Sequence, residues 1–168
     1  MKRQITDPEE LVFLTDYRLK VQSGFYPVQM ICADACVFWR GSVLLVKRKF
    51  FPNKGALALP GGFVNIDERL YDAAVRECAE ETGLELQPGW FFGTKYFDDP
   101  DRSLRGRILT HAFGFWIPWD MEPVIKAGDD AAEVGWKGLR DVQYLLVHDD
   151  HAEIINRMET LYREKPNN

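Results

Sequence analysis

The sequence predicts an α/β domain in which helices cover a mixed β-sheet. Three observations lead there. The chain has 168 residues, which fits one domain, or one domain with a terminal extension, and lets folding bury roughly 70% of the unfolded surface. Hydrophobic residues make up 46% and charged residues 28%, an ordinary globular balance that sets aside disordered, collagenous and coiled-coil readings. Apolar runs of strand length outnumber helical patterns and do not alternate with them strictly, which points to a mixed sheet rather than a purely parallel one.

Each element follows from local signals. Asp7 can cap, and Pro8 can open, a helix running to about Lys20 that Gly24 and Pro27 end. Residues 1–27 therefore read as a helical extension and 28–168 as the domain proper. A mostly apolar strand starts at Met30, Arg40-Gly41 makes a tight turn, and residues 42–47 return. Pro52, Gly55, Pro60, Gly61 and Gly62 break the next stretch into a shaped loop, regular only over residues 56–59. Asn65 and Glu68 resemble a capping box, opening a helix that runs to about Thr82 and stops at Gly83. Residues 84–97 and 108–117 read as strands flanking a polar stretch, followed by a short strand around 134–136 and a helical turn near 139–142. Asp149 or Asp150 caps a last helix whose Ile154, Ile155, Met158, Leu161 and Tyr162 form one apolar stripe.

Charge and cysteine usage narrow the function. With 26 acidic against 21 basic side chains the net charge is -5, the wrong sign for coating nucleic acid. No apolar run approaches the ~18 residues of a membrane span, and Met1-Lys2-Arg3-Gln4 leads into polar residues rather than a signal-peptide core. The three cysteines are an odd number. Cys32 and Cys36, on one strand, lie roughly 13 Å apart, too far for a disulfide. A cytoplasmic protein in a reducing compartment is expected, with no nucleic-acid or membrane partner.

The helix after the glycine loop carries the chemistry. Leu70, Ala73 and Ala74 begin a helical stripe whose next positions are Glu77 and Glu81, with Glu80 beside them. A solvated acidic helix would place such residues opposite its apolar face, whereas Tyr71, Val75 and Cys78 flank these. Like charges at this spacing repel, so a cation should offset them. Arg76 is a single group to one side. Oxygen ligands without His or Cys select Mg²⁺, or Mn²⁺, over zinc, and Mg²⁺ favours sites completed by substrate phosphates.

The run Gly62, five residues, Glu68, seven residues, then Arg76-Glu77-Cys78-Ala79-Glu80-Glu81-Thr82-Gly83-Leu84 resembles the Nudix box, with every polar position matched and Cys78 where an aliphatic residue is usual. Cys78 is expected to pack and not to react. The resemblance implies a Nudix α/β/α sandwich and hydrolysis of a nucleoside diphosphate linked to another moiety. It implies that Glu77, Glu80, Glu81 and the Gly62 carbonyl bind the metal, and that Glu68 pairs with Arg76 to hold loop against helix. The catalytic base is left open between Glu77 and an acid of a later loop; Asp129, Asp130 and Glu133 are the candidates there, or extra metal ligands, the alternative being a solvated acidic loop.

Arg102, Arg105 and Arg107 follow an acidic patch, with Tyr96, Phe97 and Trp90 nearby. Arginine forks suit phosphates, and aromatic faces suit a base or ribose. From about residue 15 to 157 the chain is similar to the Nudix half of bifunctional nicotinamide mononucleotide adenylyltransferase/ADP-ribose pyrophosphatases, and to the ADP-ribose-sensing Nudix part of NAD-pathway transcriptional regulators. It departs at Leu57, where those relatives usually carry a tryptophan. No H-x-G-H nucleotidyltransferase motif and no winged helix accompany it, so the reading is of a Nudix domain standing alone or cut from a longer protein. By this analogy Arg102, Arg105 and Arg107 contact phosphates or the terminal ribose, and a homodimer is possible.

The function expected is Mg²⁺-dependent hydrolysis of ADP-ribose to AMP and ribose 5-phosphate. The alternatives are a Nudix hydrolase of NADH or a dinucleoside polyphosphate, and a non-hydrolytic ADP-ribose sensor. Among lesser candidates, His111 reads as a buried histidine, and Asp34 as a carboxylate that either pairs with an arginine or orients ligand. His148 and His151 read as a solvated helix start. Residues 47–49 are either a basic strand end or part of an anion-attracting cleft.

Overall fold

The computed structural model describes residues 8–24, 28–128 and 131–164. Helix α1 (Pro8–Gln22) comes first, with Val12, Phe13 and Leu19 exposed; Asp7 and Pro27, its expected boundary residues, lie outside the described residues. Strands β1 (Met30–Trp39) and β2 (Ser42–Arg48) form the expected hairpin, turned through Arg40 and Gly41, both at positive φ. Short strands β3 (Leu57–Ala58) and β4 (Gly61–Phe63) lie within the expected loop. Helix α2 (Leu70–Thr82), strands β5 (Phe91–Phe97), β6 (Ile108–Trp116) and β7 (Ala131–Gly138), and helix α3 (His151–Arg163) complete the fold.

The sheet is mixed. Its order is β3-β2-β1-β6-β5, with β4 added to β1 and β7 to β2. The β1–β6 pair is parallel and the other pairs are antiparallel. Strand alternation then sends Ala33, Ala35 and Val37 to the α2 face, against Ala73, Ala74 and Cys78, and Cys36 and Phe38 to the α3 face, against Ile154, Ile155 and Met158. This is an α/β/α sandwich. The hairpin strands pair only beside their turn, through Phe38–Val43 and Trp39–Ser42. Beyond that point β1 takes β4 as its neighbour and β2 takes β3, which opens a gap in the sheet.

Four local expectations need correction. Helix α2 starts at Leu70 rather than after Asn65: the Asn65 N–H does donate to Glu68 Oε1, at 2.6 Å, but the Glu68 carboxylate is also drawn to Arg76. The strand expected from Leu84 begins only at Phe91, because Pro88, which has no N–H to donate, opens a 3₁₀ turn. Strand β7 is longer than expected, since β2 offers it a partner along its whole length. The helical turn expected near 139–142 is a 3₁₀ turn at Val142–Tyr144. At the other end of α2, Gly83 takes the left-handed conformation (φ 66°) and its N–H bonds Ala79 O, as a glycine stop should.

Candidate active site

The gap between β1 and β2 is a cleft of about 420 Å³, floored by Gly61, Gly62 and Glu81, with Arg48, Arg105, Asp34 and His151 on its walls. The segment after the last 3₁₀ turn closes the far side. Leu57 N–H bonds Leu146 O and His148 N–H bonds Leu57 O, both at 2.8 Å, laying that segment along β3.

Two of the three helix carboxylates press on the glycines. Gly61 N–H donates to Glu81 Oε2 at 3.1 Å, and a Cβ on Gly62 would stand 2.5 Å from Glu77 Oε1. Burial pushes the Glu81 carboxyl up to about 7 and raises Glu77 as well, although Arg76 opposes the latter. The third, Glu80, has its side chain 59% exposed and accepts from Arg76 at 3.0 Å. Arg76 is thus more than the peripheral charge expected. It forks onto Glu68 at 2.7 and 3.0 Å and reaches Glu77 at 2.8 Å, holding Glu68 down at about 2 and raising its own pKa further. Cys78 is buried, its thiol pushed up to about 12 by desolvation, as suits a packing residue.

The loop between β5 and β6 divides its arginines. Arg102 lines the cleft but is bound on both sides of its fork to Asp150, at 2.6 and 2.9 Å, and donates to Thr110 Oγ1 at 2.9 Å. This also explains why Asp150, at the N-cap of α3, makes no capping bond with its side chain. Arg105 lies exposed on the cleft rim with its guanidinium 5.4 Å from the Phe63 ring centroid. Arg107 donates to Asp98 O. Tyr96 and Phe97 line a separate groove with Lys95 and Arg157, and Trp90 packs on the α2-side core. Glu133 is on β7, paired with Lys47 at 3.0 Å, while Asp129 and Asp130 lie outside the described residues. Gly128, just before them, bonds Glu81 O at 3.0 Å and has no room for a Cβ, which would fall 1.9 Å from Glu80 O.

Lys47, Arg48 and Lys49 do line the cleft. Asp34 is buried beside Gly61, its carboxyl pushed up to about 7 by desolvation against the opposing Arg102 charge and Thr110 hydroxyl. His111 is half-buried, stacked on Phe113 with centroids 4.9 Å apart. The expectation of a solvated helix start at His148 and His151 is wrong: both are buried in the cleft wall. Their polar sequence neighbours concealed this, because the burial comes from β3 and from Asn53, distant in the chain. Phe63 and Asn53 were not singled out by sequence reasoning, and nothing in their own local pattern marks them.

A model of the NUDIX domain matches residues 30–158. The chain belongs to the Nudix family. It is a Nudix hydrolase, 37% identical over 125 residues to an ADP-ribose pyrophosphatase of Methanocaldococcus jannaschii, a match covering 74% of this chain and 70% of that one. It is also similar to a bifunctional NMN adenylyltransferase/ADP ribose pyrophosphatase of Francisella tularensis, solved with AMP and a manganese ion: 32% identity, TM-score 0.76, covering 90% of this chain and 47% of that one. An ADPR-responsive transcriptional repressor of Acinetobacter baylyi is 32% identical over 91 residues, covering 51% of this chain and 35% of that one. The chain thus spans about half the length of the bifunctional relative and about a third of the repressor.

Nudix enzymes generally use divalent metals, and the donors here fit one in kind. Glu77 and Glu81 offer hard oxygens against backbone that carries no side chain at Gly61 and Gly62. Among the described residues no group of three His, Cys, Asp or Glu side chains gathers closely enough to hold an ion, because Glu80 turns to Arg76 instead. The inward gathering of all three carboxylates, expected from their spacing, is therefore seen for two.

Proposed function

We propose that this Nudix hydrolase is a Mg²⁺-dependent ADP-ribose pyrophosphatase that releases AMP and ribose 5-phosphate, with Mn²⁺ able to substitute. One observation carries the reading: a single cleft sets oxygen donors for a hard cation, Glu81 and Gly62, facing an arginine engaged by no ion pair among the described residues, Arg105. The relative from M. jannaschii, matched over most of both chains, carries the same activity in its name.

Glu77, Glu80 and Glu81, with the Gly62 carbonyl, would hold the metal. When bound, the ion polarises phosphate oxygens and lowers the pKa of a coordinated water. The chain's own residues orient the rest. Glu68 and Arg76 brace the loop before α2 against the helix. Arg105 meets the diphosphate, and Arg48, partly buried in the same wall, adds positive potential where the protein as a whole is acidic. Arg102 sets the arginine loop by its hold on Asp150, and its effect on substrate acts through that loop. Asp129 and Asp130 are the acids best placed in sequence to take the proton of the attacking water, following a glycine tied to the end of α2.

The test is incubation with ADP-ribose and Mg²⁺, following AMP and ribose 5-phosphate, alongside NADH and dinucleoside polyphosphates. Faster turnover of either alternative would reassign the substrate. Tight ADP-ribose binding with no AMP release would favour a sensor, the reading suggested by similarity to the repressor; the retained acidic helix speaks against it, since a pure binder has no need of Glu77, Glu80 and Glu81 on one helix.

A further inference from the structure

The α3 side of the cleft holds two histidines to which the reaction so far gives no task. His148 is spent within the wall: the Asn53 amide nitrogen lies 2.9 Å from its Nδ1, and Asp149 Oδ2 lies 3.3 Å from its Nε2. His151 is committed on one side only. Leu59 N–H donates to its Nδ1 at 3.0 Å, so that nitrogen accepts, and the ring is a neutral imidazole with its proton on Nε2. A second proton, on Nδ1, would set two donors against each other. Burial also disfavours the charged ring, and His148 and the guanidinium groups of Arg102, Arg48 and Arg105 act in the same direction. The Nε2–H meets no partner among the described residues and is open to the cleft that the ring lines.

The surroundings of that donor favour an anion. Arg48 and Arg105 line the same cleft and bear on the ring as positive charges, so the potential beside Nε2 draws an oxyanion more strongly than a neutral group. The floor is close by. Leu59, which bonds His151, and Gly61, which bonds Glu81, are two residues apart, so their N–H groups lie within ~7 Å of each other. A phosphate seated over the glycines therefore comes within reach of α3 while it faces the acids of α2. The neutral ring supplies that phosphate with a directed hydrogen bond, where the arginines supply charge.

We propose that His151 is a substrate-binding residue whose Nε2–H donates to a non-bridging phosphate oxygen of the nucleoside diphosphate, so that α3 grips the ligand opposite the acids of α2. This deepens the pyrophosphatase reading and rests on it for the class of ligand.

Two amide substitutions separate the two ring nitrogens. His151→Asn can place its oxygen where Nδ1 accepts from Leu59 but puts no group at Nε2. His151→Gln carries an amide N–H to the Nε2 position and gives up the Leu59 bond. The experiment is calorimetric binding of ADP without added metal, with thermal melting of each variant, beside a separate assay of AMP release from ADP-ribose by the parent with Mg²⁺. His151→Asn should melt near the parent yet bind ADP about tenfold more weakly, the worth of one hydrogen bond to a charged group. His151→Gln should melt lower and keep most of the affinity. A ring that only pins Leu59 gives the opposite order, with affinity kept in His151→Asn and lost in His151→Gln, and that result overturns the proposal, as does a parent that binds no ADP. If His151→Asn does not fold, a crystal structure of the parent with ADP decides, and one with no phosphate oxygen within hydrogen-bond distance of Nε2 overturns it. The expected binding order in a protein whose parent releases no AMP from ADP-ribose supports the contact and overturns the substrate assignment instead.

Discussion

Gly61 and Gly62 are adjacent in β4 but press on different neighbours, so an alanine at each should fail in a different way. At Gly61 a Cβ would stand 2.1 Å from Asp34 Oδ1, 2.7 Å from Ala33 O and 2.8 Å from Asp34 Cα. Two of those atoms are backbone in the central strand and cannot yield, so Gly61→Ala should cost about 3 kcal/mol, the upper end of overpacking. At Gly62 the three nearest atoms all belong to the Glu77 carboxyl group, at 2.5, 2.7 and 2.9 Å. That side chain can swing, and a retreat of about 1 Å restores van der Waals contact. Gly62→Ala should therefore leave stability within about 1 kcal/mol of the parent while shifting a carboxylate proposed to hold metal by a distance worth ~100-fold in turnover. Urea denaturation, with the slope compared between variants, measures the first quantity, and AMP release from ADP-ribose with saturating Mg²⁺ measures the second. Full activity in Gly62→Ala, or a stability loss equal to that of Gly61→Ala, would refute the assignment of Glu77 to the reacting cleft.

Burial raises the Glu81 pKa to about 7, so between about pH 4.5 and 7 the folded protein keeps a proton that the unfolded chain releases, and this carboxyl lowers stability as pH rises through that window. Without metal, Glu81→Gln should consequently gain ~3 kcal/mol over the parent above pH ~7 relative to pH ~4, seen in paired denaturation curves, while losing orders of magnitude in turnover; activity loss that merely tracked unfolding would contradict the assignment. Comparing variant with parent cancels the opposite slope from His148, whose depressed pKa of about 4 makes its burial favour higher pH. Arg105→Ala should raise KM for ADP-ribose by about tenfold, and more than it does for ATP; equal losses would leave Arg105 a structural residue. Arg102→Ala should destabilise by ~3 kcal/mol, mostly through the abandoned Asp150, and a second change, Asp150→Ala, should recover part of it in a double-mutant cycle. Chelation should abolish turnover, and added Mg²⁺ or Mn²⁺ should restore it.

What the sequence made legible was mostly local. Gly83 stops α2 because only a left-handed residue fits there, and the spacing of Glu77 and Glu81 along one stripe put both against the glycine strand. Misplaced features turned on which distant partner captured a charged or polar group. Asp150 reads as a cap until Arg102, 48 residues away, draws its carboxylate off. Glu80 reads as a third inward acid until Arg76 takes it on the outer side. His148 and His151 sit in a run of acids that looks wet, and only Asn53 and Leu59, more than 90 residues earlier, make that run an inner wall. The order of the sheet follows the same logic, since hydrophobic runs name the strands without naming their neighbours.

The early parting of β1 from β2 has a consequence for how such a domain diversifies. Its opening is framed by main-chain pairing, with Glu81 at the base and Phe50, Phe63 and Arg105 among the groups around the mouth. Replacing residues at the mouth changes which molecules are admitted without disturbing the hardware beneath, so new specificities are reachable by single steps that spare both folding and reactivity.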